Sequence, residues 1–270
     1  MFRKYFDVGA HVLHVFHAGR STLPGVPPDL TRGRTVLFLH GAGSNGSVWH
    51  RQIEQLAAGE SPLAFDFPGH GRSTGTEALP SIGEYAEVTV DLLDRLGVER
   101  AVLVGTSMGG GVAIDAALRA PERVAALVLV STTACFSLSD ESIDRWRRVM
   151  LGREPQPFTA DGYGDDVPPE VLREGWEQQV KTDPRVRYFD LLACRAMDYR
   201  ARLGDLRVPA LVVCGTRDTV APPEASEELA TAISGARLET IEGGGHFLYR
   251  ERPEALGAAI QRFLAAGAAG

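Results

Sequence analysis

Long apolar runs are missing from this chain of 270 residues. A membrane-spanning helix needs about 18 or more consecutive apolar residues, and no such run occurs. The opening stretch Met1-Phe2-Arg3-Lys4-Tyr5-Phe6-Asp7 has basic residues with no apolar segment behind them, so neither a membrane span nor a targeting segment is expected. Cysteine is scarce. Cys135, Cys194 and Cys214 are far apart and odd in number, which argues against a disulfide framework and for a reducing, cytoplasmic setting. Cys214 ends the apolar run Ala210-Leu211-Val212-Val213-Cys214 and reads as a small buried hydrophobe. Metal motifs are also missing: there is no His-Glu-x-x-His and no paired-Cys spacing. His11, His14 and His17 are three apart, so on an extended strand His14 faces away from the other two. Finally, there is no excess of positive charge. Lys and Arg total 28 against 35 Asp and Glu, a net charge of -7, which opposes binding to phosphate backbones or anionic lipid surfaces.

The composition that is present, 44% hydrophobic and 23% charged, is that of a globular domain. The length suits one core with an insertion. Short β-branched runs at 35–39, 62–67, 101–105, 124–131, 209–215 and 237–242 are apolar on both faces, as in a parallel sheet covered by helices. Helical stretches at about 46–58, 81–97, 108–120, 222–234 and 252–266 alternate with them, which gives a doubly wound α/β order. Residues 5–16 alternate and predict antiparallel edge strands, 19–34 an exposed loop, and 265–270 a frayed tail. From about 133 to 205 no clean strand appears, while Ile143, Trp146, Val149 and Met150 recur at helical spacing. The chain therefore divides into a core, 1–132 with 206–270, and a helical cap insertion, 133–205. Aromatic residues of the insertion, among them Trp146, Phe158, Tyr163 and Trp176, supply apolar surface to roof a pocket. The acidic cluster Asp161, Asp165, Asp166 reads as a solvated loop, and Arg145, Arg147, Arg148, Arg173 and Arg195 as scattered charges able to steer a carboxylate.

Chemistry concentrates in four strand-end loops. Gly105-Thr106-Ser107-Met108-Gly109 lies between a buried strand and a helix. A serine there occupies a strained turn, and flanking glycines relieve the clashes with strand and helix. The helix N-terminus beside it favours an anion. A hydroxyl becomes a useful nucleophile when a base takes its proton and a carboxylate orients that base. Asp218, in Gly215-Thr216-Arg217-Asp218, and His246, in Gly243-Gly244-Gly245-His246, each follow a strand, in the order Ser, Asp, His. The remaining requirement is a pair of N–H donors for the developing oxyanion. The backbone N–H of Met108 and that of Ala42, in Phe38-Leu39-His40-Gly41-Ala42-Gly43, are the candidates, with His40 shaping that loop.

The same loop contains a competing motif. Gly41-Ala42-Gly43-Ser44-Asn45-Gly46 is a formal G-x-G-x-x-G after a strand, with Asp66 about 20 residues on, the fingerprint of a dinucleotide site. That reading leaves Ser107, Asp218 and His246 unexplained, so no cofactor and no metal is expected.

Taken together, Leu39-His40-Gly41, Trp49, the run from Asp66 to Ser73, the Ser107 turn, Pro121-Glu122-Arg123-Val124, Val208-Pro209, Gly215-Thr216-Arg217-Asp218 and Gly245-His246 resemble the α/β-hydrolase superfamily, over nearly the whole chain except the insertion. Within it, the serine turn and 209–263 are similar to 3-oxoadipate enol-lactonases, small esterases and cofactor-free haloperoxidases. The resemblance implies a mostly parallel twisted sheet with helices on both faces and an inserted cap. It also implies hydrolysis of a small carboxylic ester or lactone through an acyl-serine. Serine at 107 argues against haloalkane dehalogenases and epoxide hydrolases, whose relatives use aspartate. Carbon–carbon bond hydrolysis, perhydrolysis with the same three residues and ligand sensing without turnover stay open, because the insertion matches no substrate class.

Overall fold

Alternation of period two divides the central strands between two cores. In β3 (Thr35–Leu39), Leu37 and Leu39 face one cluster and Val36 and Phe38 the other; in β5 (Ala101–Thr106), Leu103 opposes Val102 and Val104 in the same way. Both strands are buried throughout, as expected for parallel strands covered on both faces. The computed structural model describes residues 1–20 and 22–267. With β1 (Phe2–Val8), β2 (His11–His17), β4 (Ser61–Phe65), β6 (Val124–Val130), β7 (Ala210–Gly215) and β8 (Arg237–Ile241), they build one eight-stranded sheet in the order β1-β2-β4-β3-β5-β6-β7-β8. The pairs β1·β2 and β2·β4 are antiparallel, and every other pair is parallel.

Helices α2 (Ile82–Leu96), α3 (Met108–Arg119) and α7 (Pro223–Ala232) contribute to the cluster on one face. The other face is covered by α1 (His50–Leu56) and α9 (Pro253–Ala265), with α8 (Leu248–Glu251) between β8 and α9. Among the described residues, no helix is long and apolar enough to cross a membrane. The three cysteines are free thiols; Cys214 is fully buried in β7, and burial pushes its thiol pKa up.

Between β6 and β7 the chain forms α4 (Asp140–Met150), α5 (Pro169–Val180), α6 (Pro184–Ala196) and a 3-10 turn at Arg200–Asp205, with no strand among the described residues. Not all of this segment stands apart from the sheet: Phe136, Met197, Leu203 and Leu206 are buried in the cluster that holds α2 and α3.

Three boundaries differ from the sequence pattern. The helix expected from residue 46 begins as a 3-10 turn, Gly46–Trp49, in which Asn45 caps the Ser47 N–H at 3.1 Å, and α1 proper starts at His50. A Cβ at Gly46 would stand 2.8 Å from the Phe65 backbone, so the chain enters pressed against β4. The strand expected through Phe67 ends at Phe65: Asp66 N still donates to His14 O at 2.9 Å, but the Asp66 carbonyl turns to the Ser73 hydroxyl at 2.6 Å. β8 is not covered on both faces: among the described residues it pairs only with β7, and Arg237, Leu238 and Thr240 are exposed on this edge. The tail expected over 265–270 lies, from residue 268, outside the described residues.

Candidate active site

The turn after β5 sets Ser107 at φ 53° and ψ -121°, a conformation that costs a non-glycine residue roughly 1–3 kcal/mol. Its surroundings hold it there. Ser107 N donates to Val130 O at 3.1 Å, and its carbonyl accepts from Gly110 N at 2.9 Å and from the Thr132 hydroxyl at 2.7 Å. Glycine is required on both sides: a Cβ at Gly105 would fall 2.1 Å from Gly109 O, and one at Gly109 would fall 2.4 Å from Leu39 O. The serine is thereby fixed at the carboxyl edge of the sheet, beside the end of β3.

The loops after β7 and β8 bring Asp218 and His246 together. His246 Nδ1 lies 2.9 Å from Asp218 Oδ2 and 3.1 Å from Oδ1, and both side chains are buried. Asp218 Oδ1 also accepts from Val220 N and Ala221 N, each at 2.9 Å. Burial alone would raise the Asp218 pKa, but the hydrogen bond and charge of His246 and these two N–H groups hold it below the usual carboxylate value. An ionised carboxylate on Nδ1 fixes the ring with Nδ1–H donating and leaves Nε2 as the basic nitrogen.

Ser107 and His246 line one cavity of about 460 Å³, with Ala42 on the same wall. Trp146, Phe158 and Tyr163 from the segment between β6 and β7 close the other side. Met108 contributes no side chain to it, being fully buried in the core, so only its backbone N–H is available to the site. No acceptor among the described residues engages the N–H of Ala42 or of Met108. The loop that carries Ala42 is tied to its neighbours through His40. His40 Nδ1 donates to Gly41 O at 2.9 Å and Nε2 accepts from Phe67 N at 3.1 Å, which requires a neutral ring. Burial agrees, lowering the His40 pKa to about 3.

A family model described as "Alpha/beta hydrolase family" matches residues 36–259, most of the chain and all of these loops. The chain belongs to the alpha/beta hydrolase family. The putative carbamate hydrolase RutD of Azorhizobium caulinodans is 30% identical to this hydrolase over 239 residues, covering 82% of this chain and 88% of the relative. A pimeloyl-[acyl-carrier protein] methyl ester esterase of Aromatoleum aromaticum is 32% identical over 248 residues, covering 81% and 93%. Among solved structures, the enol-lactonase from Burkholderia xenovorans LB400 superposes with a TM-score of 0.85 at 26% identity, covering 97% of this chain and 99% of that one. The chain is thus an enzyme of the serine hydrolase kind.

The structure of this hydrolase also contains site residues that the sequence pattern does not single out. Asp190 of α6 is fully buried and accepts from Gly43 N at 2.7 Å, His70 Nε2 at 2.8 Å and the Tyr85 hydroxyl at 2.6 Å. It ties α6 to the loop beside Ala42. Glu251 of α8 does the same for the histidine loop, accepting from Gly164 N at 2.7 Å, Gly245 N at 3.0 Å and Phe247 N at 2.8 Å. The dinucleotide fingerprint is occupied by this hydrolase's own carboxylates: Asp66 is buried, with its oxygens on His14, Gly46 N and Arg72 N, and Gly43 N is held by Asp190. Asp165 of the acidic cluster pairs with Arg217 at 2.7 Å, exposed at the surface. Of the arginines noted in the insertion, Arg145 lines the cavity, whereas Arg148 and Arg195 pair with Glu154 and Asp140. Among the described residues no group of three or more His, Cys, Asp or Glu side chains is arranged to hold a metal ion.

Proposed function

We propose that this chain cleaves a small carboxylic ester or lactone through an acyl-serine intermediate. The observation that carries the reading is the His246–Asp218 hydrogen bond of 2.9 Å set behind the cavity that Ser107 enters from its strained turn. In this reading His246 Nε2 takes the proton from Ser107 Oγ as it attacks the carbonyl carbon, and Asp218 stabilises the imidazolium that forms. The N–H groups of Ala42 and Met108 receive the oxyanion. His246 then returns the proton to the departing alcohol, water enters, and the same steps in reverse sense release the acid and restore Ser107.

The relatives support this bond class. One is named a methyl ester esterase and one structural neighbour an enol-lactonase, two reactions that share acyl transfer to water. Residues 133–205 serve in this proposal as the cap that roofs the site, since Trp146, Phe158 and Tyr163 all come from them. The substrate is a small molecule, in keeping with a cavity of about 460 Å³. A panel of p-nitrophenyl esters from acetate to octanoate, together with γ- and δ-lactones, tests the reading. Saturable hydrolysis of at least one member is expected. Failure of every ester and every lactone, with protein shown to be folded, contradicts it.

A further inference from the structure

Helix α6 sends Arg187 into the cavity, where no carboxylate among the described residues pairs with it. Arg187 lines the wall together with Ser107 and His246, and its guanidinium carbon lies 4.8 Å from the centroid of the Trp146 ring. Its stem rests on the loop beside Ala42: a Cβ at Gly43 would come within 2.9 Å of Arg187 Nε and 3.0 Å of Cβ and Cδ, and Gly43 has φ 62°. Apart from the Trp146 ring, no hydrogen bond or ion pair among the described residues engages the guanidinium, and burial lowers its pKa. The carboxylate one turn away, Asp190, is already taken by His70, Tyr85 and Gly43 N.

Its place in the wall of the cavity sets Arg187 apart from the paired arginines. Arg34, Arg119, Arg123, Arg185, Arg200 and Arg262 each pair with a carboxylate, in a chain with 35 acidic against 28 basic residues. The cavity reverses that balance. Among the described residues Arg145, Arg187 and Arg250 line it against Glu141 alone, and the Arg250 guanidinium reaches no acceptor there except the Tyr163 hydroxyl, at 3.3 Å, with its Nε buried and unpartnered. A guanidinium half-buried in a cavity wall without a counterion favours an anion beside it, and its planar fork matches a carboxylate with two parallel hydrogen bonds.

We propose that Arg187 anchors an anionic substituent, so that the substrate of this site is an ester or lactone that itself carries a carboxylate. The Trp146 ring backs the guanidinium, and Arg250 and Arg145 add to the positive potential that draws the anion in. This inference rests on the acyl-serine reading for the reaction, but the anion site is testable apart from it.

The test compares kcat/KM within two pairs of esters: monomethyl adipate against methyl hexanoate, and carboxymethyl butanoate against ethyl butanoate. The first pair places the carboxylate on the acyl side and the second on the alcohol side. Wild type is expected to prefer the anionic member of at least one pair by tenfold or more. Arg187→Met is expected to abolish that preference, chiefly through KM, and Arg187→Lys to keep part of it. No anionic preference in either pair, or a preference that survives in Arg187→Met, overturns the proposal. Calorimetric titration of the Ser107→Ala protein with adipate gives a readout independent of turnover. Saturable binding that weakens at least tenfold when Arg187→Met is added supports the anion site even if no ester is cleaved, which would then sink only the acyl-serine reading. No binding of adipate overturns the anion site whatever the esterase result. Should Arg187→Met fail to fold by circular dichroism, the wild-type ratios and the Arg187→Lys protein decide.

Discussion

Ser107→Ala is expected to lower kcat on a p-nitrophenyl ester by about 10⁶-fold, and His246→Ala added to it to cost almost nothing more. The reason is that in the proposed mechanism the two side chains act as one device. Ser107 is placed by its φ of 53° and by glycine on both flanks, and His246 by its 2.9 Å bond to Asp218. A base with no hydroxyl to deprotonate has no work to do, and a hydroxyl with no base is a poor nucleophile. On the same proposal, what survives either loss is the contribution of binding and of the N–H groups of Ala42 and Met108, which neither substitution touches. Steady-state kinetics on the two single variants and the double variant check this. A Ser107→Ala protein within tenfold of wild type, or losses that multiply in the double variant, would show that the two residues do not act together.

The second large effect concerns stability. Asp190→Ala is expected to destabilise the fold by about 3–5 kcal/mol, the cost of leaving a buried charge without its partner. His70 has hydrogen-bond acceptors on both nitrogens, Pro68 O at 3.0 Å from Nδ1 and Asp190 Oδ2 at 2.8 Å from Nε2, so both nitrogens donate and the ring is an imidazolium. Neither partner is exposed. Burial alone would depress the His70 pKa, yet the Asp190 carboxylate outweighs it and raises the value; burial alone would raise that of Asp190, yet His70, Tyr85 and Gly43 N lower it. Removing the carboxylate strands an imidazolium, a tyrosine hydroxyl and a backbone N–H at once.

The pH dependence follows from the two directions. His70 binds its proton more tightly when folded, so its contribution is full below its ordinary value of 6.5 and is lost as pH rises through the raised folded value. Asp190 releases its proton more readily when folded, so its contribution is full above its ordinary value of 3.8 and is lost as pH falls through the lowered folded value. Urea unfolding of wild type and Asp190→Ala across pH should therefore show the largest gap between these limits and a smaller gap at either end. A gap below about 1 kcal/mol at every pH would remove the ion pair from the account.

These residues also mark where local sequence signals stop. β3 was legible to the residue, because a parallel strand buried on both faces carries its apolar character in five consecutive positions. β8 was legible as a strand but not as an edge, since burial of Leu238 and Thr240 depends on a neighbour that the sequence does not name. Ser107 follows β5 directly, Asp218 and His246 lie in the loops after β7 and β8, and strand ends are visible locally. Asp190 had no such signal: it lies mid-helix, and its partners Gly43 and His70 are 147 and 120 residues away. Likewise, the arginines of the insertion look alike in sequence. The rotation of α6 about its axis, set by packing, turns Arg187 into the cavity, while Arg195 of the same helix pairs with Asp140 at the surface.

The central claim is that Ser107 is the atom donor to the acyl-enzyme, and a fluorophosphonate probe tests it most directly, because such probes react with a hydroxyl only when a base has activated it. Intact wild-type protein should take up one probe per chain, lose its esterase activity in proportion, and show the adduct on the peptide that contains Ser107, while Ser107→Ala takes up none. An adduct mapped to another residue, or a wild-type enzyme that turns over esters while refusing the probe, would contradict the account.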